Sequence, residues 1–197
     1  KIFKKIDPVK LEEEFSIDLS KPFFLILQHT VTSEINKIEE YYEKTLDAIK
    51  ELDIQSVFIN GNADAGSTKI NNLIKKSKIK QYDSLAFDKF INLLSLSTAL
   101  VGNSSSGIME APFLKTPSIN IGTRQTGRLH AASVIDVGYS KREIKNALKK
   151  TLYDKTFQKN LRQTKSLYGN GEASKKLVRI LENLNLEKIP IQKRQFE

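Results

Sequence analysis

Short, bounded apolar runs alternate with longer amphipathic stretches along most of this chain, and that alternation limits its fold more than any other feature. FFLILQ (Phe23–Gln28), behind Pro22, is too short for a helix and apolar throughout, as a parallel strand covered on both faces must be. From Ser33, a plausible N-cap, apolar residues recur at Ile35, Ile38, Tyr42, Leu46, Ile49 and Leu52 in steps of three and four, which predicts one helix face. VFIN (Val57–Asn60) predicts the next strand, and a GNADAGS turn leads into a helix over about 68–76. A short strand near 79–82, a helix over Phe87–Ser97 and the strand ALVG (Ala99–Gly102) follow. SGIMEAPFL reads as a short helix, PSINI and SVIDV as the last two strands, and Lys141–Leu152 and the segment after Gly171 as helices. Residues before Lys21 and after Lys188 read as connecting segments.

Repeated β/α units in one chain of 197 residues imply a single α/β domain: a doubly wound, Rossmann-like parallel sheet with right-handed crossovers. Its expected strand order is 3-2-1-4-5-6, with ligands at the carboxyl ends of strands 1 and 4, where the order reverses. A chain of this size buries about 70% of its unfolded surface and needs no staples.

Composition removes several classes of function. With no cysteine there is no disulfide framework, thiol nucleophile or Cys-ligated metal, and His29 and His130 alone leave little for a histidine-rich metal cluster. No such metal site is therefore expected, and no cofactor is expected either. No apolar run approaches the ~20 residues of a membrane span, and the N-terminus lacks the layout of a signal peptide, so a soluble, cytoplasmic protein is expected. The net charge of +9 raises nucleic acid as a partner, but the lysines are dispersed and no nucleic-acid-binding motif accompanies them. A solvated lysine-rich surface is the expectation, with no nucleic-acid or membrane partner. Such a field also draws small anions.

Strand 1 runs into Gln28-His29-Thr30 and strand 4 into Gly102-Asn103-Ser104-Ser105-Ser106-Gly107, so the switch point brings these segments together. Ser104 and Ser105 then open a helix, where unpaired amides and the dipole favour phosphate. One serine is explained by capping; three bracketed by Asn and Gly exceed what a cap needs. His29 is either a loop histidine bonded to backbone or a ligand contact at this edge. Glu110 is either solvated or an acceptor for ribose hydroxyls, and Arg124 and Arg128 either solvated or an anion clamp. His130 reads as a loop residue. Neither a P-loop nor a GxGxxG is present. Pattern alone thus implies a phosphorylated ligand and no named reaction.

VGNSSSGIMEAPFLKTPSINIGTRQTGRLHAASVIDV (Val101–Val137) closely resembles the C-terminal domain of hydrolysing UDP-N-acetylglucosamine 2-epimerases. QHTVTSE (Gln28–Glu34), NADAGS (Asn62–Ser67), the stretch Leu85–Phe90 and the ending IPIQKRQFE are similar to that family in the same order. NSSSG and TRQTGR stand where the non-hydrolysing branch carries DSGG-type and TERPE-type segments. The resemblance implies the C-terminal, nucleotide-binding half of a GT-B fold, whose members run to nearly twice this length. It implies a UDP-sugar substrate and, as partner, the N-terminal half of the same enzyme, and it leaves a homo-oligomer open. Carried over by motif, His29 would be catalytic and contact the diphosphate, with Ser104, Ser105 and Arg124 on the phosphates. Asn62 would line the nucleotide pocket, Leu85 would meet uracil through its backbone, and Glu110 would hold the ribose. The implied reaction is elimination of UDP followed by water addition, giving a free 2-epimeric sugar such as N-acetylmannosamine; the chain alone is expected to be inactive. Other readings are the donor domain of a GT-B glycosyltransferase and a non-enzymatic binding module.

Overall fold

The computed structural model describes residues 3–61, 66–185 and 192. Two compact units divide the chain, Lys1–Leu167 and Tyr168–Glu197. The first holds one six-stranded sheet: β1 (Phe23–Leu27), β2 (Gln55–Ile59), β3 (Lys80–Tyr82), β4 (Ala99–Gly102), β5 (Ser118–Ile121) and β6 (Val134–Val137). Every pairing is parallel and the order is β3-β2-β1-β4-β5-β6, the arrangement expected from the sequence, with its reversal between β1 and β4.

Alternation along β1 shows why the strands are apolar throughout. Phe24 and Ile26 face a core built with α2 (Ile38–Lys50), α3 (Ser67–Ser77) and α6 (Lys141–Tyr153), through Tyr42, Ile49, Ile70, Ile74, Ile144 and Leu148. Phe23 and Leu25 face a second core with α1 (Pro8–Phe15), α4 (Phe87–Leu96) and α5 (Glu110–Leu114), through Leu11, Phe15, Leu93, Leu94 and Ala111. Side chains of successive strand residues point to opposite faces, so a strand covered on both sides has no polar position to spare.

Three local expectations are corrected. The segment before Lys21 is not merely connecting: Asp7 caps α1 by accepting from the Val9 amide at 3.0 Å, Pro8 occupies the first turn, and Leu11 and Phe15 are fully buried. Ser33 does not cap α2. It lies within a 3-10 turn over Thr32–Lys37 that precedes the helix, and Ile35 in that turn is exposed. The NSSSG segment does not open one helix. A 3-10 turn over Ser105–Gly107 ends before Glu110 begins α5. Pro112 explains the break: it has no N–H to give the Ile108 carbonyl, and it is tolerated in the first turn of a new helix, where that bond is not made.

A further helix, α7 (Lys155–Leu161), is capped by Asp154, which accepts from the Phe157 amide at 2.9 Å. In the second unit, α8 (Ala173–Glu182) carries Leu177, Val178, Ile180 and Leu181 exposed. No helix among the described residues is long and apolar enough to cross a membrane. Because Phe15 is at 0% exposure, Phe15→Ala is expected to remove ~3–5 kcal/mol in urea unfolding. A residue in a mere connecting segment would change stability by less than about 0.5 kcal/mol.

Candidate functional site

Leu27 of β1 pairs with Gly102 of β4, the last rung before the two strands part. Gly102 has φ +139°, and a Cβ there would lie 2.2 Å from the Leu27 carbonyl oxygen, so only glycine allows the turn at this distance. The chain then presents the side chain of Asn103, at 1% exposure, back toward β1. Its carboxamide oxygen accepts from the His29 amide at 2.6 Å and its nitrogen donates to the His29 carbonyl at 2.9 Å. The two carboxamide atoms are thereby identified, because the backbone N–H can only donate and the carbonyl only accept.

The loop after β5 closes on the same residue. Arg124 Nη1 and Gln125 Nε2 donate to the Asn103 carbonyl oxygen at 3.1 and 2.8 Å, using both its lone pairs. Gln125, at 5% exposure, in turn accepts from Arg128 Nη1 at 2.9 Å. His29, Asn103 and Arg124 are therefore joined in one network spanning three loops. Ser104 follows directly and is buried; its hydroxyl accepts from the Ser106 amide at 3.3 Å and its carbonyl from the Gly107 amide at 3.0 Å. None of these bonds uses the amide of Ser105, the half-exposed first residue of the turn.

None of the hydrogen bonds above includes the remaining candidates. Glu110, half-buried, is the first residue of α5. Leu85, also half-buried, sits in the loop after β3 and packs against the α1/α4 core. Asn62 lies outside the described residues. A cavity of ≈ 190 Å³ opens beside His29, lined also by Gln28, Asn60, Gly61, Asn71 and Asp83. Gly61 leaves room for the imidazole, since a Cβ there would come 2.7 Å from His29 Nδ1. His130 is more than a loop residue: its Nε2 lies 2.8 Å from Asp136, which also accepts from Asn120 at 2.7 Å.

Two residues that matter here, Asn103 and Gln125, were not among the candidates from sequence. Nor was a second tie across the rim. Glu34 accepts from Thr123 Oγ1 at 2.6 Å and from the Tyr139 hydroxyl, joining the loops after β1, β5 and β6. Tyr139 stacks on Tyr41 with ring centroids 3.6 Å apart and lies over Gly122, where a Cβ would come within 2.1 Å of its ring. Burial, and then its hydrogen bond to the Glu34 carboxylate, push the Tyr139 hydroxyl up to about 12. The folded chain thus holds this proton more tightly than the unfolded chain does. The stabilisation is complete below pH ~10 and is lost as pH rises through about 12. In a tyrosinate absorbance titration, Tyr139 is expected to ionise near pH 12, and Tyr139→Phe to remove that late step.

Among the described residues no group of three or more His, Asp or Glu side chains could hold a metal ion. The family model described as UDP-N-acetylglucosamine 2-epimerase matches residues 3–182. GDP/UDP-N,N'-diacetylbacillosamine 2-epimerase (hydrolyzing) of Campylobacter jejuni is 35% identical over 189 residues, 91% of this chain and 48% of its own. UDP-N,N'-diacetylbacillosamine 2-epimerase (hydrolyzing) of Legionella pneumophila is 26% identical over 178 residues, 88% and 46% of the two chains. The chain thus spans about half the length of the curated relatives it matches. UDP-GlcNAc 2-epimerase of Methanocaldococcus jannaschii, solved in complex with UDP-GlcNAc and UDP, superposes with a TM-score of 0.68 at 23% identity, over 88% of this chain and 48% of that one. That likeness shows the Rossmann-like fold. With a family model matched from residue 3 to residue 182, the chain belongs to the UDP-N-acetylglucosamine 2-epimerase family.

Proposed function

We propose that this chain is the C-terminal, UDP-binding half of a hydrolysing UDP-sugar 2-epimerase, and that it grips the diphosphate at the carboxyl ends of β1 and β4. The observation that carries the reading is the network through Asn103, which brings His29 and Arg124 to the edge where Ser104 begins a turn. In a parallel α/β sheet, ligands sit in the crevice at this reversal of strand order. In the same reading Ser105 adds its amide and hydroxyl to the phosphates, and Glu110 holds the ribose. Leu85 meets uracil through its backbone, and Asn62 lines the nucleotide pocket.

The chemistry asks this half mainly to hold a leaving group. A base removes the C2 proton of the sugar, the C1–O bond breaks, and the electron pair leaves with the UDP phosphate, forming the C1–C2 double bond of a glycal. Water then adds across that bond, hydroxyl at C1 and proton at C2 on the opposite face, and the free 2-epimeric sugar results. The acid and base for C2 are assigned to the N-terminal half. Arg124, Ser104, Ser105 and His29 supply donors to the departing diphosphate, where a hydrogen bond to a charged group contributes about 1.5–3 kcal/mol. A UDP-2,4-diacetamido sugar is the first substrate to try, because both curated relatives named above carry one in their names, and UDP-N-acetylglucosamine the second.

Calorimetric titration of the chain with UDP and with uridine, at two salt concentrations, tests the reading. UDP is expected to bind and to bind more weakly at high salt, with Ser104→Ala and Arg124→Ala each lowering its affinity on the order of tenfold. UDP affinity unchanged in both variants would move the diphosphate away from this edge. No UDP is expected to be released from either nucleotide sugar by the chain alone; release that disappears in His29→Ala would show that this half carries the chemistry too.

A further inference from the structure

Asn103 makes four hydrogen bonds to three other residues. Its side chain holds both backbone groups of His29, 74 positions away in sequence, and its carbonyl oxygen receives Arg124 and Gln125 from the loop after β5. The side chain takes the place of a ladder rung. Past the Leu27–Gly102 pair the β4 backbone turns away, and the carboxamide does for His29 what a neighbouring peptide group would have done. A shift of Asn103 therefore moves the His29 backbone and the Arg124 guanidinium together. Gln125 fixes the opposite side, with its nitrogen on Asn103 and its oxygen on Arg128.

We infer that Asn103 is a positioning residue that sets His29 and Arg124 on the diphosphate as a coupled pair rather than as two independent donors. The inference rests on the UDP reading above. Asn103→Asp keeps the shape of the side chain and the acceptor for the His29 amide. It replaces the donor to the His29 carbonyl with an oxygen that repels it. Gln125→Ala leaves the side chain of Asn103 intact and removes one donor to its carbonyl, together with the acceptor for Arg128.

The test combines ligand affinity with a measurement that needs no ligand. Asn103→Asp is expected to weaken UDP on the order of tenfold while leaving uridine within about twofold. Made in a His29→Ala background, the same change is expected to weaken UDP less than it does in the unaltered chain, since one of the two residues it positions is already gone. Equal losses for UDP and uridine would show a general structural role and overturn the inference, as would an unaltered UDP affinity in a folded Asn103→Asp chain. In NMR spectra of the free chain, Gln125→Ala is expected to shift the His29 amide as well as the Arg124 Nε–H. A shift confined to Arg124 would show that no coupling passes through Asn103, and this holds if Asn103→Asp does not fold. Should the unaltered chain fail to bind UDP, the nucleotide reading falls by itself and Asn103 loses its role toward a diphosphate. The NMR shifts then report only whether the two loops are linked.

Discussion

At Gly102 the backbone of β4 passes so close to the end of β1 that a side chain there would overlap the Leu27 carbonyl. Two parallel strands can stay this near only while they share a ladder, and the ladder ends at that rung. Beyond it the connections leave on opposite sides, to the turn before α2 and to the turn before α5. The groove between them is a product of strand order. What keeps it from gaping is a side chain, Asn103, which continues the pairing for one more residue. His29, Ser104 and the loop bearing Arg124 owe their nearness to that contact.

The sheet that delivers these ends depends on burial of both its faces. Phe24 and Ile26 on one side and Phe23 and Leu25 on the other each meet helices, and the same division recurs between Phe58 and the pair Val57 and Ile59. Apolar burial of this kind supplies most of the drive to fold, with each fully buried large side chain contributing roughly 1.5–3 kcal/mol. The polar chemistry is thus confined to strand ends, where loops leave the two cores.

Most of the sheet was legible in the sequence because strands covered on both faces write themselves as short apolar runs. The crossovers between them leave one sensible order. The position of the candidate site followed from that order, and His29, Ser104 and Arg124 stood out as candidate residues at its edge. Less could be read where a conformation depends on contacts made far along the chain. α1 looked like connecting sequence because its amphipathic pattern is only eight residues long, and its identity lies in Leu11 and Phe15 meeting β1. The break before Glu110 follows from one proline, Pro112. Asn103 was passed over between two more familiar residue types. Its role is a pair of bonds to backbone 74 residues away, and such bonds leave no periodic trace. Glu34 is similar, since its partners Thr123 and Tyr139 are set by the return of two later strands.

The Glu34 tie has a consequence for how a ligand would be met. Three loops that leave separate strands are fastened to one carboxylate, and Tyr139 is wedged between the ring of Tyr41 and the bare backbone of Gly122. A rim built this way has already lost the conformational freedom that a loose rim surrenders when it closes round an anion. Recognition then resembles a key entering a cut lock. In the proposed function, any movement that completes the cleft would fall to the N-terminal half rather than to this fastened edge.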